Sequence, residues 1–184
     1  MALTEPCLET DRLLLRPPQL GDFDRYAELL GHEQAARHIG GQQPRAAAWR
    51  KFLQMPGAWA VQGFAMFSVI EKASGTWLGQ VGPWKPEGWP GNEIGYSFHP
   101  DAWGRGYATE AATATIDWAL DNLGWDGFIH CIAPQNLASQ QLARRLGSTL
   151  RGPGRLPAPY EDAPVDIWGQ SRAQWRARAA TRPT

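Results

Sequence analysis

The chain has 184 residues, which is long enough for one domain with a sizeable hydrophobic core. Its 18 basic and 18 acidic side chains cancel, and no basic stripe stands out, so a nucleic-acid partner held through its phosphates is disfavoured. No stretch is long and apolar enough to span a bilayer, and the first residues do not resemble a secretion signal. We therefore expect a cytoplasmic protein without a membrane partner.

Hydrophobic periodicity and turn-forming residues predict strands and helices that alternate through a single α/β (α+β) domain. The predicted strands cover residues 8–16, 63–71, 77–84, 93–98, 128–133, 149–155 and 165–171. The predicted helices cover residues 21–38, 45–55, 105–123 and 136–147. We expect residues 1–184 to form one domain, with an ordered core at about 8–176 and a frayed tail after Arg176.

Three of the strands carry specific expectations. The segment at residues 72–75 separates the strands at 63–71 and 77–84, which predicts an antiparallel hairpin. The strand at 128–133 is apolar throughout except for His130, which is typical of a central strand that is buried on both faces.

The most informative stretch begins at Glu93, where a strand is followed by a glycine-containing turn and an alanine-rich helix. Gly104 and Gly106 let the backbone of this turn fold tightly and approach a ligand closely. The first N–H groups of the helix have no intrahelical acceptor, and the helix dipole is positive at this end, so the turn is suited to a phosphate. The alternative is that the two glycines serve the turn alone, as is common before a helix.

A dinucleotide-binding loop is the nearest rival interpretation of this turn, and it does not fit. That motif needs a third glycine and an acidic residue that ends the next strand about 20 residues on. Thr109 stands where the third glycine would be, and Asp126 comes before the next strand instead of at its end.

A second pattern lies at residues 136–147, where apolar residues recur along one face of a helix. Asn136 is a good N-cap, and Gly147 stands where a C-cap glycine belongs. Asn136 is either a cap alone or also part of a site. Ser139, in the first turn, would ordinarily be a solvated hydroxyl or bond back to the helix.

Together these segments resemble the GCN5-related N-acetyltransferase (GNAT) superfamily. The acyl-CoA loop of the superfamily, Gln/Arg-x-x-Gly-x-Gly/Ala, corresponds to Trp103-Gly104-Arg105-Gly106-Tyr107-Ala108. Its later Asn-x-x-Ser-x-x-Leu segment corresponds to Asn136, Ser139 and Leu142. Trp103 stands where Gln or Arg is usual, and this departure resembles the ribosomal-protein N-terminal acetyltransferase (RimJ/RimL-like) branch. The opening segment at residues 9–17 is also similar to the first strand of that branch.

The resemblance implies a mixed, mostly antiparallel sheet of about six to seven strands flanked by helices. The strand that starts at Glu93 would splay away from the strand at 128–133, and the pantetheine of acetyl-CoA would enter the gap as a mock strand. Phe98 and His99 would lie at the cofactor, where backbone N–H groups near Phe98 would polarise the thioester carbonyl.

The resemblance also assigns the remaining cofactor contacts. Asn136 and Ser139 would belong to the acetyl-CoA site. The pyrophosphate would bind the backbone N–H groups of Arg105, Gly106, Tyr107, Ala108 and Thr109.

The implied reaction is direct transfer of an acetyl group from acetyl-CoA to an amine. Because the amine is mostly protonated at neutral pH, it must lose a proton, which a carboxylate commonly accepts through a water. Glu93 is the first candidate for this base, and a merely exposed carboxylate at a strand start is the competing interpretation. Glu161 and Asp162 are further candidates. Ser139, or alternatively Tyr160, would supply a proton or hydrogen bond to the departing thiolate.

Other reactive side chains are interpreted as structural. Cys7 and Cys131 show no paired spacing, and the histidines show no metal-ligand spacing, so we predict no metal. Cys131 is predicted to be a small buried hydrophobe and not an acyl carrier. His99 and His130 are predicted to be structural or weak candidates for the base. The 10 tryptophans are expected mainly to fill the core.

These observations predict an acetyl-CoA-dependent N-acyltransferase whose acceptor is a protein N-terminus or a small-molecule amine. The competing hypothesis is a catalytically silent CoA-binding or regulatory module with the same fold. The identity of the acceptor, and the choice between monomer and homodimer, stay open at this point.

Overall fold

The computed structural model of the chain describes residues 6–179. The strands are β1 (Leu8–Glu9), β2 (Leu13–Arg16), β3 (Phe67–Glu71), β4 (Trp77–Trp84), β5 (Glu93–Phe98), β6 (Gly127–Ile132), β7 (Thr149–Gly154) and β8 (Val165–Ser171). The α-helices are α1 (Phe23–Gly31), α2 (Glu33–Ala36), α3 (Arg45–Phe52), α4 (Gln54–Gln62), α5 (Tyr107–Asn122), α6 (Leu137–Leu146) and α7 (Arg172–Ala179). Short 3-10 helices cover Leu20–Asp22 and Pro100–Ala102.

Within residues 6–179, eight strands form one mixed sheet in the order β1-β2-β3-β4-β5-β6-β8-β7. β3 and β4 pair antiparallel, which confirms the predicted hairpin, and β6 and β8 pair antiparallel along the whole of β6. β5 and β6 are parallel neighbours, and their register contains a single residue pair, Glu93 with Ile129. Such limited pairing agrees with the predicted splayed strand pair.

The described residues fall into two compact units, of which the first comprises the residues up to 82 together with 96–115. Its core is built by α1, α3, β3 and β4. The ring of Tyr26 lies 5.5 Å from that of Phe52 and 6.2 Å from that of Trp77, between ring centroids. These aromatic contacts account for part of the large tryptophan content as core filling.

The second unit comprises residues 83–95 and those from 116 onward. Trp175 of α7 is completely buried, and its ring lies edge-on to that of Phe128 with centroids 5.6 Å apart. The Trp175 indole N–H donates to Asp117 of α5 at 2.8 Å. The helix α7 therefore belongs to the core of this unit, although the sequence did not predict it. The helix continues to Ala179, past the predicted start of fraying, and residues 180–184 lie outside the described residues.

The predicted first strand at residues 8–16 is wrong in one respect, because the chain turns back within it. The backbone N–H of Thr10 donates to the carbonyl of Leu13 at 3.0 Å, and the Leu13 N–H donates to the Thr10 hydroxyl at 3.0 Å. This tight turn separates β1 from β2, which pair antiparallel. The split explains why the sheet has one strand more than the upper limit predicted.

The predicted helix at residues 21–38 is interrupted. α1 ends at Gly31, and His32 has an extended backbone with ψ of 117°. The His32 ring accepts a hydrogen bond from the Ala35 N–H, so it caps α2 as a new helix begins. The helix therefore stops before the hydrophobic periodicity of the sequence does, because the His32 side chain takes a backbone N–H as a hydrogen-bond donor.

The predicted helix at 45–55 is two helices, α3 and α4. Pro56 lies in the first turn of α4, where its missing N–H costs no hydrogen bond. α4 ends at Gln62 and is capped by Gly63, whose φ is +80°, so the predicted strand at 63–71 begins only at Phe67.

Candidate functional site

The predicted anion-binding turn lies directly before α5 and has the backbone that its glycines predicted. Gly104 and Gly106 have φ angles of +72° and +79°, a left-handed conformation that residues with a Cβ rarely adopt. α5 begins at Tyr107 and runs for 16 residues. The N–H groups of Tyr107, Ala108 and Thr109 lie in its first turn, where the helix itself supplies no acceptor, so this turn offers donors to an anion.

Arg12 anchors the turn to the residues before β2. Its Nη1 donates to the carbonyl of Arg105 at 2.9 Å, and its Nε donates to Oε2 of Glu110 at 2.7 Å. The Thr10 hydroxyl donates to Oε1 of Glu110 at 2.5 Å. Burial acts to raise the pKa of Glu110, but the hydrogen bonds from Thr10 and Arg12 outweigh it, so the pKa is lowered overall. A charged network therefore fixes the position of the turn.

Glu71, at the end of β3, engages two side chains of the turn. It accepts hydrogen bonds from the Tyr107 hydroxyl and from Nη2 of Arg105, the latter at 3.2 Å. Hydrogen bonds from Ser74 and Tyr107 lower the pKa of Glu71. The guanidinium carbons of Arg12 and Arg105 lie 4.4 Å and 4.8 Å from the centroid of the Tyr107 ring. Because the Arg105 side chain is engaged with Glu71, its predicted role in anion binding depends on its backbone N–H.

Phe98 is the last residue of β5 and His99 follows it, and some of their main-chain groups already have hydrogen-bond partners within the protein. The N–H of His99 donates to the carbonyl of Leu78 at 2.8 Å, and the carbonyl of Phe98 accepts from Nε1 of Trp103 at 2.9 Å. The His99 N–H is therefore already paired within the protein. The His99 ring accepts from the Asp101 N–H at 3.3 Å, and burial is the main cause that lowers its pKa.

Glu93 is buried, so the interpretation of an exposed carboxylate is wrong. Its residue surface is only 7% exposed. The Trp89 indole Nε1 donates to its Oε2 at 2.6 Å, and the Cys131 backbone N–H donates to its Oε1 at 3.0 Å. Burial raises the pKa of Glu93 to about 7, against the opposing effect of these hydrogen bonds. At neutral pH this carboxyl group is therefore able both to accept and to release a proton.

The hydrogen bond from Cys131 departs from a regular parallel ladder. The N–H of Ile129 donates to the carbonyl of Asn92 at 2.9 Å, as a parallel ladder requires. The next N–H on this side, that of Cys131, would normally donate to the carbonyl of Ile94, but it bonds the Glu93 side chain. The Ile94 carbonyl instead accepts from Nδ1 of His130 at 2.7 Å. Two side chains thus replace one rung of the β5–β6 ladder.

His130 is neutral at physiological pH. It is 1% exposed, and burial lowers its pKa to about 4 although the hydrogen bond to Ile94 acts in the opposite direction. Because a carbonyl only accepts hydrogen bonds, Nδ1 carries the proton. The prediction that His130 is structural agrees with this contact.

Asn136 and Ser139 are brought together as the sequence predicted for a cap. The Asn136 side chain accepts from the Ser139 N–H at 3.1 Å, and Gly147, with a φ of +90°, caps the other end of α6 after Leu146. Ser139 is half-buried. The capping function of Asn136 is confirmed, and a cofactor contact of either residue stays a prediction.

The alternative acid and base candidates lie in the loop between β7 and β8. Glu161 and Asp162 are exposed, and Tyr160 is 38% exposed. The backbone N–H of Tyr160 donates to the carbonyl of Pro157 at 3.0 Å, which forms a turn in this loop. None of these three side chains has the burial that distinguishes Glu93.

Sequence reasoning missed the donors that hold Glu93. Trp89 lies four residues before Glu93 in a loop rich in Pro and Gly, and was expected to be a core filler. Cys131, predicted to be a buried hydrophobe, is half-buried and its thiol has a raised pKa, chiefly because of burial. An indole close in sequence to a candidate carboxylate was the available signal, since a buried Trp N–H usually finds an acceptor.

Neither a metal centre nor a membrane segment is found over residues 6–179. No cluster of at least three His, Cys, Asp or Glu side chains in this range is arranged to hold a metal ion. No helix in the same range has the length and apolar character to cross a bilayer.

The sequence profile of the acetyltransferase (GNAT) domain family matches residues 12–149, which is well over half of the chain. The chain belongs to the GNAT acetyltransferase family. YkkB of Bacillus subtilis is 34% identical over 105 residues, which are 54% of this chain and only 61% of that protein. The N-acetyltransferase p20 of Bacillus licheniformis is 28% identical over 159 residues, which are 85% of this chain and 88% of that protein.

Solved structures share the GNAT fold over nearly the whole chain. An acetyltransferase from Agrobacterium tumefaciens superposes with a TM-score of 0.81 at 28% identity, covering 94% of this chain and 98% of that one. A ribosomal-protein-serine acetyltransferase from Vibrio cholerae, described as putative, gives a TM-score of 0.76 at 21% identity, covering 90% and 97%. An aminoglycoside acetyltransferase in complex with coenzyme A gives a TM-score of 0.72 at 17% identity, and the match covers 91% of this chain and 99% of that one. The last two likenesses establish the fold alone.

Proposed function

We propose that this GNAT protein transfers an acetyl group from acetyl-CoA to a primary amine by direct attack of the amine. Acetyl-CoA would supply the acyl group as a reactive thioester. The residues of this chain would bind and orient acetyl-CoA and the amine, and would exchange protons with them. The observation that carries the proposal is Glu93, a carboxyl group that is 7% exposed and has a pKa of about 7. Buried carboxyl groups with raised pKa values are concentrated at functional sites, which favours a catalytic role for Glu93 over CoA binding alone.

The turn before α5 supports the binding of acetyl-CoA. The pyrophosphate of acetyl-CoA would accept hydrogen bonds from the backbone N–H groups of residues 105–109, at the positive end of the dipole of α5. The residues present fit such a group, because a Cβ built on Gly104 would have no neighbour within 4 Å, so the space beside the turn is open. Asn136 and Ser139 are proposed as further contacts of the same ligand.

Glu93 is proposed to take the proton from the incoming ammonium, directly or through a water. A pKa of about 7 is well matched to this task, since the group is substantially ionised at neutral pH and still basic enough to hold the proton. The backbone N–H of Phe98 would stabilise the negative charge that develops on the carbonyl oxygen. Ser139 would donate a hydrogen bond or proton to the departing thiolate, with Tyr160 as the alternative.

Release of free thiol from acetyl-CoA tests the proposal. The purified protein, incubated with acetyl-CoA, should release thiol only when an acceptor amine is present, and Glu93→Gln should reduce this release. Binding of acetyl-CoA without amine-dependent release across a broad acceptor panel would favour the silent binding or regulatory module instead.

The acceptor is proposed to be a protein N-terminus or a small-molecule amine. The branch that the chain resembles includes enzymes that act on protein α-amino groups and on small amines, and the fold is shared with both a ribosomal-protein and an aminoglycoside acetyltransferase, so both classes of acceptor belong in the panel. A screen should compare peptides that have free N-termini with polyamines, aminoglycosides and amino acids. Size-exclusion chromatography with light scattering would decide between monomer and homodimer.

Thermal shift measurements test the choice of cofactor independently of turnover. Acetyl-CoA and CoA should raise the melting temperature far more than NAD or ATP, because the turn lacks the third glycine of a dinucleotide loop and the Gly-Lys-Ser/Thr ending of an ATP loop. Equal stabilisation by ATP would contradict the assignment of the turn.

A further inference from the structure

The loop before β5 brings an indole N–H to the proposed base. Trp89 is half-buried, and its Nε1 lies 2.6 Å from Oε2 of Glu93, which is short for a bond from a neutral nitrogen donor. The other carboxylate oxygen is bonded by the Cys131 backbone N–H at 3.0 Å. The Cys131 thiol is a further hydrogen-bond partner of the carboxylate, but its pKa shows that burial keeps it protonated. Each oxygen of Glu93 therefore has at least one N–H donor within the protein, and of these two N–H donors only that of Trp89 belongs to a side chain.

We propose that Trp89 is a positioning residue for the reaction: its indole N–H fixes the Glu93 carboxylate in place and keeps it competent as a proton acceptor. The proposal rests on the proposed function, since it takes Glu93 as the base. A carboxylate bonded at both oxygens loses the freedom to rotate, so its remaining lone pairs keep one direction toward an incoming amine or water. A hydrogen bond donated to the ionised form also favours that form over the neutral acid.

Charged neighbours do not provide this effect. The titratable side chains of β6 beside Glu93 are the Cys131 thiol, whose pKa is raised, and the His130 imidazole, whose pKa is about 4. Both are neutral near pH 7, so neither supplies a positive charge to stabilise the carboxylate. The balance between burial and the hydrogen bonds donated by Trp89 and Cys131 then sets the ionisation of Glu93, and the indole N–H of Trp89 can be removed by mutation while its ring is kept.

Trp84 provides a matched control. Its ring meets that of Trp89 edge-on with centroids 6.5 Å apart, so both indoles belong to the same aromatic contact. Trp89 alone of this pair donates to Glu93. Trp89→Phe and Trp84→Phe each keep an aromatic ring and remove one indole N–H, but only the first removes a hydrogen bond to the carboxylate.

The first experiment measures the titration of Glu93 directly in the free protein, by the carbon-13 resonance of its carboxyl group. Loss of one hydrogen bond to a charged group corresponds to a shift of about one to two pH units. Trp89→Phe should raise the titration midpoint by that amount, and Trp84→Phe should leave it in place. An unchanged midpoint in Trp89→Phe, or an equal shift in Trp84→Phe, overturns the proposal.

The second experiment measures kcat/KM against pH. Because the proposed base must be ionised, the acid limb of the Trp89→Phe profile should move to higher pH by the same amount as the midpoint. From a starting pKa of about 7, the rate at pH 7 should fall about 5- to 50-fold and recover as the pH rises. If the midpoint moves and the limb does not, Trp89 holds Glu93 but Glu93 is not the base, so both the positioning role of Trp89 in the reaction and the acid–base assignment of the proposed function are overturned.

A third measurement needs no change at Trp89. In the wild-type protein, the indole N–H resonance of Trp89 should shift with pH at the same midpoint as the Glu93 carboxyl carbon. In Glu93→Gln this shift should disappear. A Trp89 resonance that does not respond to pH in the wild-type protein overturns the proposal, even if Trp89→Phe does not fold.

Discussion

Glu93 and His130 replace one rung of the β5–β6 ladder with two side-chain hydrogen bonds, one to the Cys131 N–H and one to the Ile94 carbonyl. Both side chains are buried, and burial moves their pKa values in opposite directions, to about 7 for Glu93 and about 4 for His130. In each case the neutral form is favoured over the charged form. The stability of the protein should therefore depend on pH through both residues.

The Glu93 carboxyl should make the protein less stable as the pH rises. Its pKa is raised from 4.5 to about 7 in the folded state, so its contribution is fully present below pH 4.5 and lost as the pH rises through about 7. The shift corresponds to about 3 kcal/mol. As the pH rises from 4.5 to about 7, the free energy of unfolding of Glu93→Gln should increase by up to about 3 kcal/mol relative to that of wild type, as measured by urea unfolding. A difference that is independent of pH would contradict the buried carboxyl.

His130 should act at the acid end. Its pKa falls from 6.5 to about 4 on folding, so the unfolded chain binds the proton first, and stability is lost as the pH falls from 6.5 to about 4. This decrease in the free energy of unfolding corresponds to about 3 kcal/mol. His130→Gln, which keeps a donor for Ile94 and cannot titrate, should show a smaller loss over the same interval. Acid unfolding followed by circular dichroism would measure it, and equal losses in both proteins would show that His130 is not responsible.

Glu93→Gln should separate binding from chemistry. The affinity for CoA should stay close to that of wild type, while kcat at neutral pH falls by about 10²-fold or more, the usual scale for a positioned proton-transfer group. The remaining rate should depend on amine that is already deprotonated, so activity should recover as the pH rises. Glu33→Gln provides the control, because that side chain is exposed and is not a candidate for the base. Wild-type turnover in Glu93→Gln across the pH range would direct attention to Glu161, Asp162 or His99.

Ser139→Ala should lower kcat without weakening the helix that carries it. The cap of α6 uses the Ser139 backbone N–H, which alanine retains. If the hydroxyl assists the departing thiolate, kcat should fall by about 10²-fold. This loss should not recover at high pH, in contrast to that of the Glu93 variant, and calorimetric titration should give an almost unchanged CoA affinity. A pH-dependent recovery would assign Ser139 to the deprotonation step instead.

Gly106→Val should weaken CoA binding. The φ of +79° disfavours a branched residue, and a Cβ at this position would lie 3.4 Å from Nη2 of Arg12, the residue that anchors the turn, so the backbone that is expected to bind the pyrophosphate would be disturbed. Gly124→Val is the control, because Gly124 has a similar φ of +66° and a Cβ there would have no neighbour within 4 Å. Both variants should lose stability, and only Gly106→Val should lose CoA affinity in calorimetry. A folded Gly106→Val protein with wild-type affinity would refute the anion-binding turn.

Local sequence signals predicted the parts of the site that depend on local conformation. Gly104 and Gly106 predicted positive φ angles, and Asn136 and Gly147 predicted the two ends of α6, because such residues relieve a steric or hydrogen-bonding constraint within a few residues. Local signals failed where a single polar side chain redirected the chain, as at Thr10 and His32.

The environment of Glu93 was not predictable in the same way. Its burial depends on the pairing of β5 with β6, and its hydrogen bonds come from Trp89 and Cys131, of which Cys131 is 38 residues away. A single sequence shows that Glu93 begins a strand. It does not show which backbone N–H groups of β6 will lack a carbonyl partner on β5. That depends on where the hydrogen-bond ladder between these two strands ends, and the strands are far apart in the sequence.

The replaced rung also bears on how this sheet avoids unwanted association. A ladder that stops inside a sheet creates two inner edges, and unpaired N–H and C=O groups along an edge are a template for another strand. Here the Cys131 N–H and the Ile94 carbonyl are occupied by side chains of the protein itself. At this rung, the edge is closed to a foreign strand before any ligand arrives.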